Sequence, residues 1–215
     1  DAWVLAVDPS GRALEELLRV AHSTGVNGIM YLVGDAEVLP LPDASVDVVV
    51  TRSVLVHVHD TGTAVRELAR VLRPGGRLSL REPLNRNATY LSTAVDWTPL
   101  GALGERVVAL WQEAAADDSL LRLDADALVE QLDSAGFEEI DVSLDDPGED
   151  WLVTEASVDT RLDAVCAPGL PSLRARWQAA FPPAEVQALV GHLHRLAGET
   201  IRFRRPELFL HARRA

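Results

Sequence analysis

The segment between Gly34 and Glu82 most constrains the fold of this chain, because apolar strand patterns alternate there with a helical pattern. Val46–Val50 has almost no polar interruption and predicts a buried strand, whereas apolar residues recur at helical spacing over 61–72. Arg77–Arg81 predicts the strand that follows. A strand, a helix and a second strand in this order favour a parallel sheet with a right-handed crossover. Sheets of this kind bind ligands at the carboxyl ends of their strands.

The alternation of strands and helices continues through residue 144 and predicts an α/β fold. Further strands are predicted at 3–8, 29–33, 137–144 and 207–212, and further helices after Ser10, over 103–116, over 124–135 and from Pro183. We predict a Rossmann-like, mainly parallel sheet with helices on both faces and a helical insertion before the last strand. Residues 1–146 and 200–215 would form this core. Residues 147–199 would form the insertion, which we interpret as a substrate cap and which allows the last two strands to pair antiparallel.

Charge and composition exclude several classes of function. The chain has 33 acidic and 20 basic residues, and its net charge of −13 argues against nucleic acids and anionic membranes as partners. All 20 of these basic residues are arginine, so no lysine can form a Schiff base or bind phosphate in a P-loop. The single cysteine, Cys166, cannot form a disulfide within the chain. A reducing cytosol is the natural setting for such a chain, so we predict a cytoplasmic protein. No apolar stretch approaches the roughly 18 residues of a membrane span, and no secretory leader is visible.

Polar residues follow four consecutive predicted strands, at the edge of the sheet where a ligand would bind. These residues are Asp8, Asp35, Thr51 to Ser53, and Glu82. A carboxyl group such as that of Asp8 can accept hydrogen bonds from both hydroxyls of a ribose. Asp35 can accept from an exocyclic amine while the backbone N–H of Ala36 donates to a ring nitrogen, which is the pattern required by an adenine edge. The simpler alternatives are a helix N-terminal acid for Asp8 and an ordinary turn for Asp35.

Several short motifs occur together in a fixed order. They are Asp8, Gly34-Asp35-Ala36 with Leu39-Pro40, Asp47-Val48-Val49, the run VLVHVHD from Val54 to Asp60, and Arg73-Pro74-Gly75-Gly76. In this combination the chain resembles the class I methyltransferases that use S-adenosylmethionine. The resemblance is dense over residues 1–82 and continues more weakly to the end of the chain. It implies S-adenosylmethionine as the cofactor, and the acidic charge and the helical insertion favour a small, fairly apolar acceptor molecule.

The resemblance also implies roles for individual residues. Asp8 with the adjoining Pro9 would bind the ribose, and Asp35 with Ala36 would bind the adenine. Thr51 would bind the methionine portion through its backbone, and Arg52 beside it is also implied as a cofactor-binding residue.

One part of the family pattern has no counterpart in this sequence. The glycine-rich loop and the strand before it are absent, and that strand would lie between the strands at Val4 and Val46, in the middle of the sheet. Each buried backbone group left unpaired at such a gap would cost about 1–3 kcal/mol. We therefore expect the sequence to be a shortened form of a longer protein. The alternative is a degenerate methyltransferase-like protein that acts as a partner or regulatory subunit.

Histidines suggest two further hypotheses. His57 follows the third predicted strand, and an imidazole could accept a proton from a hydroxyl nucleophile, although a structural role is at least as good an interpretation. His57 and His59 could share a face of an extended segment, but a zinc site usually needs three or four convergent ligands, so we predict no metal. An NAD(P)-dependent dehydrogenase is a second enzyme class compatible with Asp8. This sequence shows no set of residues suited to hydride transfer, which argues against that class.

Tryptophans are concentrated outside the predicted strands. Trp97, Trp111 and Trp151 could form the wall of an apolar acceptor pocket, or they could be the core of the inserted helices. The sequence leaves the oligomeric state open.

Overall fold

The computed structural model describes residues 3–116, 118–165 and 171–215, and these residues form two compact units. The first unit consists of Asp1–Arg86, Ser119–Asp145 and Pro206–Ala215, and the second of Asn87–Asp118 and Asp146–Arg205. Cys166 lies outside the described residues. The sequence-based division into a core and a substrate cap stays a prediction, and the structure groups 87–118 with the later segment.

The strands and helices have the following bounds, with each type numbered along the chain. The strands are β1 (Val4–Asp8), β2 (Ile29–Val33), β3 (Val46–Arg52), β4 (Leu72–Pro83), β5 (Phe137–Asp145), β6 (Glu149–Leu152), β7 (Thr200–Phe203) and β8 (Glu207–Arg214). The helices are α1 (Gly11–Ser23), α2 (Thr61–Val71), α3 (Leu91–Ala94), α4 (Ala102–Ala116), α5 (Ala125–Ser134), α6 (Glu155–Asp163), α7 (Leu173–Ala180) and α8 (Pro183–Arg195). Short 3-10 helices occur at Leu55–His57, Asn85–Asn87, Thr98–Leu100 and Ser119–Leu121. Among the described helices, none is both long and apolar enough to cross a bilayer.

The first unit contains two separate sheets. Strands β1 and β2 form a parallel pair, and β3, β4, β8 and β5 form a four-stranded sheet in that spatial order. Strand β4 is parallel to β3 and antiparallel to β8, and β5 is also antiparallel to β8, so only β8 runs against the other three. The α/β, Rossmann-like class predicted from the sequence is confirmed. The break between the strands at Val4 and Val46 lies where the sequence predicted it.

Polar residues begin the helices of the first unit. The side chain of Ser10 accepts a hydrogen bond from the N–H of Ala13 at the start of α1, and Asp60 accepts from Thr63 at the start of α2. Asp124 accepts from two N–H groups at the start of α5. These caps satisfy donors that have no partner within the helix, and each one lies at a boundary that the sequence pattern indicates.

Strand β4 contains a bulge at residues 73–76. The sequence pattern predicts a turn there, before the start of the strand. Val46 pairs with Leu72 but Val48 pairs with Arg77, so four residues of β4 (73–76) oppose a single residue of β3. Gly75 has φ +76°, and a Cβ on Gly76 would lie 2.8 Å from the carbonyl oxygen of Arg73. Both glycines are therefore required by the local backbone, and the strand continues through the motif instead of beginning after it.

One face of the four-stranded sheet carries the core of the first unit. Leu78 and Leu80 of β4 alternate with polar residues and pack with α2 and α5 against the buried face of β8. On the opposite face of β3, Val48 and Val50 are exposed, Val50 to 72%. The register of β3 and β4 therefore places one set of side chains in the core and the alternate set outside.

The second unit combines helices with a two-stranded antiparallel sheet of β6 and β7. The sequence pattern predicts a helical segment over 147–199, and this prediction is wrong at Glu149–Leu152, where the chain forms strand β6. Its four residues show no alternation, and it is a strand because Trp151 pairs across to Ile201 and packs against Phe203. The guanidinium of Arg161 lies over both aromatic rings at 4.7 and 4.5 Å from their centroids, which adds a cation–π contact to this sheet.

The two faces of the sheet in the first unit make a direct prediction about stability. Leu80 is 1% exposed, so Leu80→Ala should lower the free energy of unfolding by about 2–5 kcal/mol through the lost burial and the cavity left behind. Val50→Ala, on the exposed face of the adjoining strand, should lower it by less than about 1 kcal/mol. Urea denaturation followed by circular dichroism measures both values. Equal losses would contradict this assignment of the two faces.

Candidate functional site

The carboxyl ends of β1 and β2 lie next to each other. The N–H of Gly34, just after β2, donates a hydrogen bond to the carbonyl oxygen of Asp8, the last residue of β1, at 3.2 Å. Asp35 is the next residue. The two acids that the sequence assigned to one nucleoside therefore follow neighbouring strands at the same edge of the parallel pair.

The side chain of Asp8 is engaged on one oxygen only. Its Oδ1 accepts from the N–H of Ser10 at 2.7 Å, which orients the start of α1. Within the described part of the chain, no donor reaches Oδ2. Pro9 beside it is exposed. Asp8 thus serves the turn before the helix and keeps a second oxygen for a ligand.

The loop after β2 is a tight turn built around Gly34 and Asp35. The Oδ1 atom of Asp35 accepts from the N–H of Glu37 at 2.9 Å, and Asp35 forms a bridge with Val38. A Cβ on Gly34 would lie 2.5 Å from Cδ of Pro40, so only glycine fits there. Ala36 packs against the core of the first unit. The loop is thereby held with the Asp35 side chain exposed.

Glu37 joins this loop to the segment that follows β3. Its Oε1 atom accepts from the N–H groups of His59 and Asp60 at 2.6 and 2.8 Å. This contact holds the turn around Asp35 close to the segment that carries His57. Glu37 is a residue of this site that the sequence pattern does not predict. Its position between an acid and a Leu-Pro pair gave no indication of a partner 22 residues away.

Helix α2 anchors the rest of the connection between β2 and β3. Glu67 accepts from the N–H of Leu39 at 2.8 Å, and the guanidinium of Arg70 donates to the carbonyl oxygens of Leu39 and Leu41. The hydrogen bond from Arg70 lowers the pKa of the Glu67 carboxyl group, and the same contact raises the pKa of Arg70. The connection has no regular secondary structure, so its backbone groups lack partners of their own. Glu67 and Arg70 supply hydrogen bonds to these groups.

The end of β3 meets a buried carboxyl group. Thr51 is half-buried and Arg52 is exposed, and they form the last two residue pairs between β3 and β4. Glu82, at the end of β4, is 0% exposed and accepts three hydrogen bonds from the segment 51–56. The sequence pattern predicts that Glu82 lies at a strand end, but it carries no signal for the three donors.

His57 ends the 3-10 helix after β3 and is exposed. Its N–H donates to the carbonyl oxygen of Val54 at 2.9 Å, so the backbone of the turn is fixed while the ring faces solvent. Asp60 begins α2, and its hydrogen bond from the Thr63 hydroxyl lowers the pKa of the Asp60 carboxyl group. In the ranges that the structure describes, no three His, Cys, Asp or Glu side chains are grouped to hold a metal ion.

The three tryptophans assigned to an acceptor pocket all lie in the second unit. Trp97 and Trp151 are buried in its core, where Trp97 contacts Trp177 edge to face at 6.0 Å. Trp111 is half-buried against the ring of Tyr90, at 4.6 Å between centroids. The structure thus places two of the three in a packed interior. Their assignment to a substrate pocket stays a prediction.

A groove of about 570 Å³ lies between α7 and α8 of the second unit. We call it the α7–α8 groove. Phe181, Val186 and Val190 form its apolar wall, and Gln178 and His194 contribute polar groups. Its volume is in the range of small-molecule sites, which are about 300–1,000 Å³.

The residues at the strand ends fit an adenosyl group. Asp8 offers an unengaged oxygen for a ribose hydroxyl, and Asp35 offers an exposed carboxyl group beside the backbone of Ala36. These groups follow two strands that are hydrogen-bonded to each other, so both can face one ligand. The donor and acceptor chemistry that an adenine and a ribose require is therefore present in the first unit.

Comparison with known proteins finds similar proteins for this region. Residues 2–80 match a family model described as a methyltransferase domain. The chain is 31% identical over 121 residues to the ubiquinone/menaquinone biosynthesis C-methyltransferase UbiE of Shewanella sp. strain W3-18-1, an alignment that covers 54% of this chain and 48% of that protein. The chain spans less than half the length of the curated relatives it matches.

Solved structures share the fold at lower sequence identity. A putative methyltransferase from Bacillus halodurans is 20% identical with a TM-score of 0.56, and the match covers 99% of this chain and 83% of that one. A phosphoethanolamine N-methyltransferase of Haemonchus contortus, crystallised with phosphomonomethylethanolamine and S-adenosylhomocysteine, is 18% identical with a TM-score of 0.53. That match covers 98% of this chain and 43% of the other. Both support the Rossmann-like fold described above.

The packing around Gly34 predicts a selective effect of one methyl group. Gly34→Ala should lower the free energy of unfolding by about 1–3 kcal/mol, because the new Cβ overlaps the rigid ring of Pro40. In Gly11→Ala, at the start of α1, the new Cβ would lie 3.9 Å from Cγ2 of Val33, an ordinary contact, so stability should be unchanged or slightly higher. Thermal unfolding of the two variants makes the comparison. A neutral Gly34→Ala would show that the loop is not held as described.

Proposed function

From the match of residues 2–80 to a methyltransferase domain, we propose that the protein is a class I S-adenosylmethionine-dependent methyltransferase, which transfers a methyl group from this cofactor to a small, fairly apolar acceptor. The observation that carries the proposal is the pairing of β1 with β2, which brings Asp8 and the turn at Asp35 to one edge. S-adenosylmethionine supplies both the methyl group and the leaving group when it is bound. The protein is left to bind, to orient and to exclude water.

Each residue of the site has a defined task in this proposal. Asp8, with Pro9 beside it, accepts hydrogen bonds from the ribose hydroxyls through the oxygen that Ser10 does not use. Asp35 accepts from the adenine amine, and the N–H of Ala36 donates to the ring. The backbone of Thr51 and Arg52 holds the methionine portion. The hydrogen bonds of Glu37 and Glu67 keep these loops in place when no ligand is present.

His57 is the candidate for a base where the acceptor must lose a proton. It lies just beyond the end of β3, it is exposed, and the hydrogen bond of its backbone to Val54 fixes the position of its Cα. An imidazole at this place can accept a proton from a hydroxyl nucleophile. An acceptor that loses no proton would not need it.

Several features favour a small acceptor with apolar character. The net charge of −13 opposes nucleic acids and anionic surfaces, and the α7–α8 groove offers an apolar wall of suitable size. The name of UbiE describes a C-methyltransferase of quinone biosynthesis. We therefore propose phenols and quinols with short apolar substituents as the first acceptors to test.

Binding of the cofactor gives the test of Asp8. In the full natural length of the protein, Asp8→Ala should weaken S-adenosylmethionine binding by about tenfold or more, since the ribose hydroxyls lose a charge-assisted partner. Isothermal titration calorimetry measures the affinity. Glu16→Ala is a matched control on α1, because this exposed acid forms an ion pair with Arg19 on the same helix and its loss should leave the affinity unchanged.

The same titration separates the competing functions. Unchanged affinity in Asp8→Ala would remove Asp8 from the ribose role. A wild-type protein that binds neither S-adenosylmethionine nor NAD(P) would favour the degenerate partner or regulatory subunit. Binding of NAD(P) alone would favour a dehydrogenase.

Activity on acceptors gives the test of substrate class. Incubation with radiolabelled S-adenosylmethionine should label a substituted phenol or quinol and leave RNA and DNA unlabelled. Gly191→Leu, which fills the wall of the α7–α8 groove, should raise KM for the acceptor by about tenfold and leave cofactor affinity unchanged. An unchanged KM would exclude this groove from acceptor binding.

A further inference from the structure

Glu82 is a carboxyl group that the fold buries completely. It lies at the end of β4 and is 0% exposed, and Leu80 on the same face of the strand is also in the core. Within the described part of the chain, no arginine or histidine forms an ion pair with it. Burying such a group is costly unless hydrogen bonds replace the water it loses. The burial of Glu82 is therefore not explained by packing alone, and its hydrogen bonds must account for it.

Among the described residues, the donors to the carboxyl group of Glu82 all come from one short segment. Its Oε1 atom accepts from Oγ1 of Thr51 at 3.3 Å and from the N–H of Val54 at 3.0 Å. Its Oε2 atom accepts from the N–H of Val56 at 3.2 Å. One side chain thus contacts the last part of β3, the turn after it and the start of the 3-10 helix that carries His57. Moving Val56 would leave Oε2 without its donor, and moving the turn at 51–54 would take both donors away from Oε1.

The backbone that Glu82 holds is sharply bent. The ladder between β3 and β4 ends at the pair Arg52 and Arg81, and the N–H of Ser53 still donates to the carbonyl oxygen of Arg81 at 2.8 Å. Ser53 then has φ +53°, a left-handed conformation that is uncommon for a residue with a side chain. Such a conformation persists where the surrounding contacts enforce it, and the two N–H groups fixed by Glu82 follow directly after it.

We infer that Glu82 is a positioning residue, which holds the backbone of residues 51–56 in the shape that binds the methionine portion of the cofactor. This inference rests on the proposed function, because it gives Thr51 and Arg52 their ligand. Glu82 itself is too deeply buried to contact the ligand. Its effect should therefore be confined to the part of the cofactor that segment 51–56 contacts, and adenine and ribose binding at Asp35 and Asp8 should be independent of it.

Two ligands that differ only in the amino acid portion test this inference. S-adenosylhomocysteine carries it, whereas 5′-methylthioadenosine keeps the adenosine and the sulfur without it. In Glu82→Gln the amide nitrogen would face an N–H group, so one hydrogen bond is lost. We expect the Kd for S-adenosylhomocysteine to rise by about tenfold and the Kd for 5′-methylthioadenosine to change by less than about twofold.

A control and a second variant keep the test decisive. Glu207→Gln removes a carboxyl group from the neighbouring strand β8, where it pairs with Arg81, and both affinities should stay unchanged. Thr51→Val deletes one donor to Glu82 with little change in volume, and should raise the Kd for S-adenosylhomocysteine by about threefold with the same selectivity. It decides the question if Glu82→Gln does not fold by circular dichroism.

Each outcome has one meaning. Equal weakening of both ligands would show that Glu82 serves only the stability of the fold, and unchanged binding of S-adenosylhomocysteine would show that segment 51–56 does not depend on it. Either result overturns the inference. If the wild-type protein binds neither ligand, the proposed function itself is wrong. Selective loss of S-adenosylhomocysteine binding supports the positioning role.

Discussion

Strand β4 is hydrogen-bonded on both sides, parallel to β3 and antiparallel to β8, and the geometry of the site follows from this pairing. Its alternation places Leu78 and Leu80 in the core, so the next residue on that face, Glu82, must also be buried. The bulge at 73–76 sets this register. Without it every side chain of β4 would shift relative to β3, and the carboxyl group of Glu82 would no longer lie opposite the turn after Arg52.

Loops without regular structure surround the candidate site, and acidic side chains supply their missing hydrogen bonds. Glu37 binds two N–H groups of the segment before α2, and Glu67 binds the N–H of Leu39. A carboxyl group can accept several hydrogen bonds at once. One acidic side chain can therefore bind several backbone N–H groups that have no partner strand. This arrangement gives the acidic residues of the first unit a structural use and keeps rigid the loops that would contact a ligand.

The sequence predicted the strands of the first unit because their apolar runs are bounded by acids and glycines, as at Val46–Val50. It also predicted that Asp8 and Asp35 would lie at the same edge of the sheet, since neighbouring parallel strands have their carboxyl ends on one side. It missed β6, whose four residues become a strand only through pairing with a partner about fifty residues away. It placed a turn at Arg73–Gly76, because a bulge and a turn need the same glycines. Contacts such as that of Glu37 with His59 depend on tertiary geometry that local patterns do not carry.

The acids at the strand ends separate into two kinds once their oxygens are accounted for. Asp8 and Asp35 each use one oxygen for a local turn and leave the other side of the carboxyl group open, whereas both oxygens of Glu82 are occupied and buried. From the sequence the three are equivalent, since each follows an apolar strand. A ligand can compete only for an acceptor that the fold has not already used. The free oxygens of Asp8 and Asp35 therefore support the proposal that these two residues bind the ligand, and the occupied oxygens of Glu82 support the proposal that it holds the backbone.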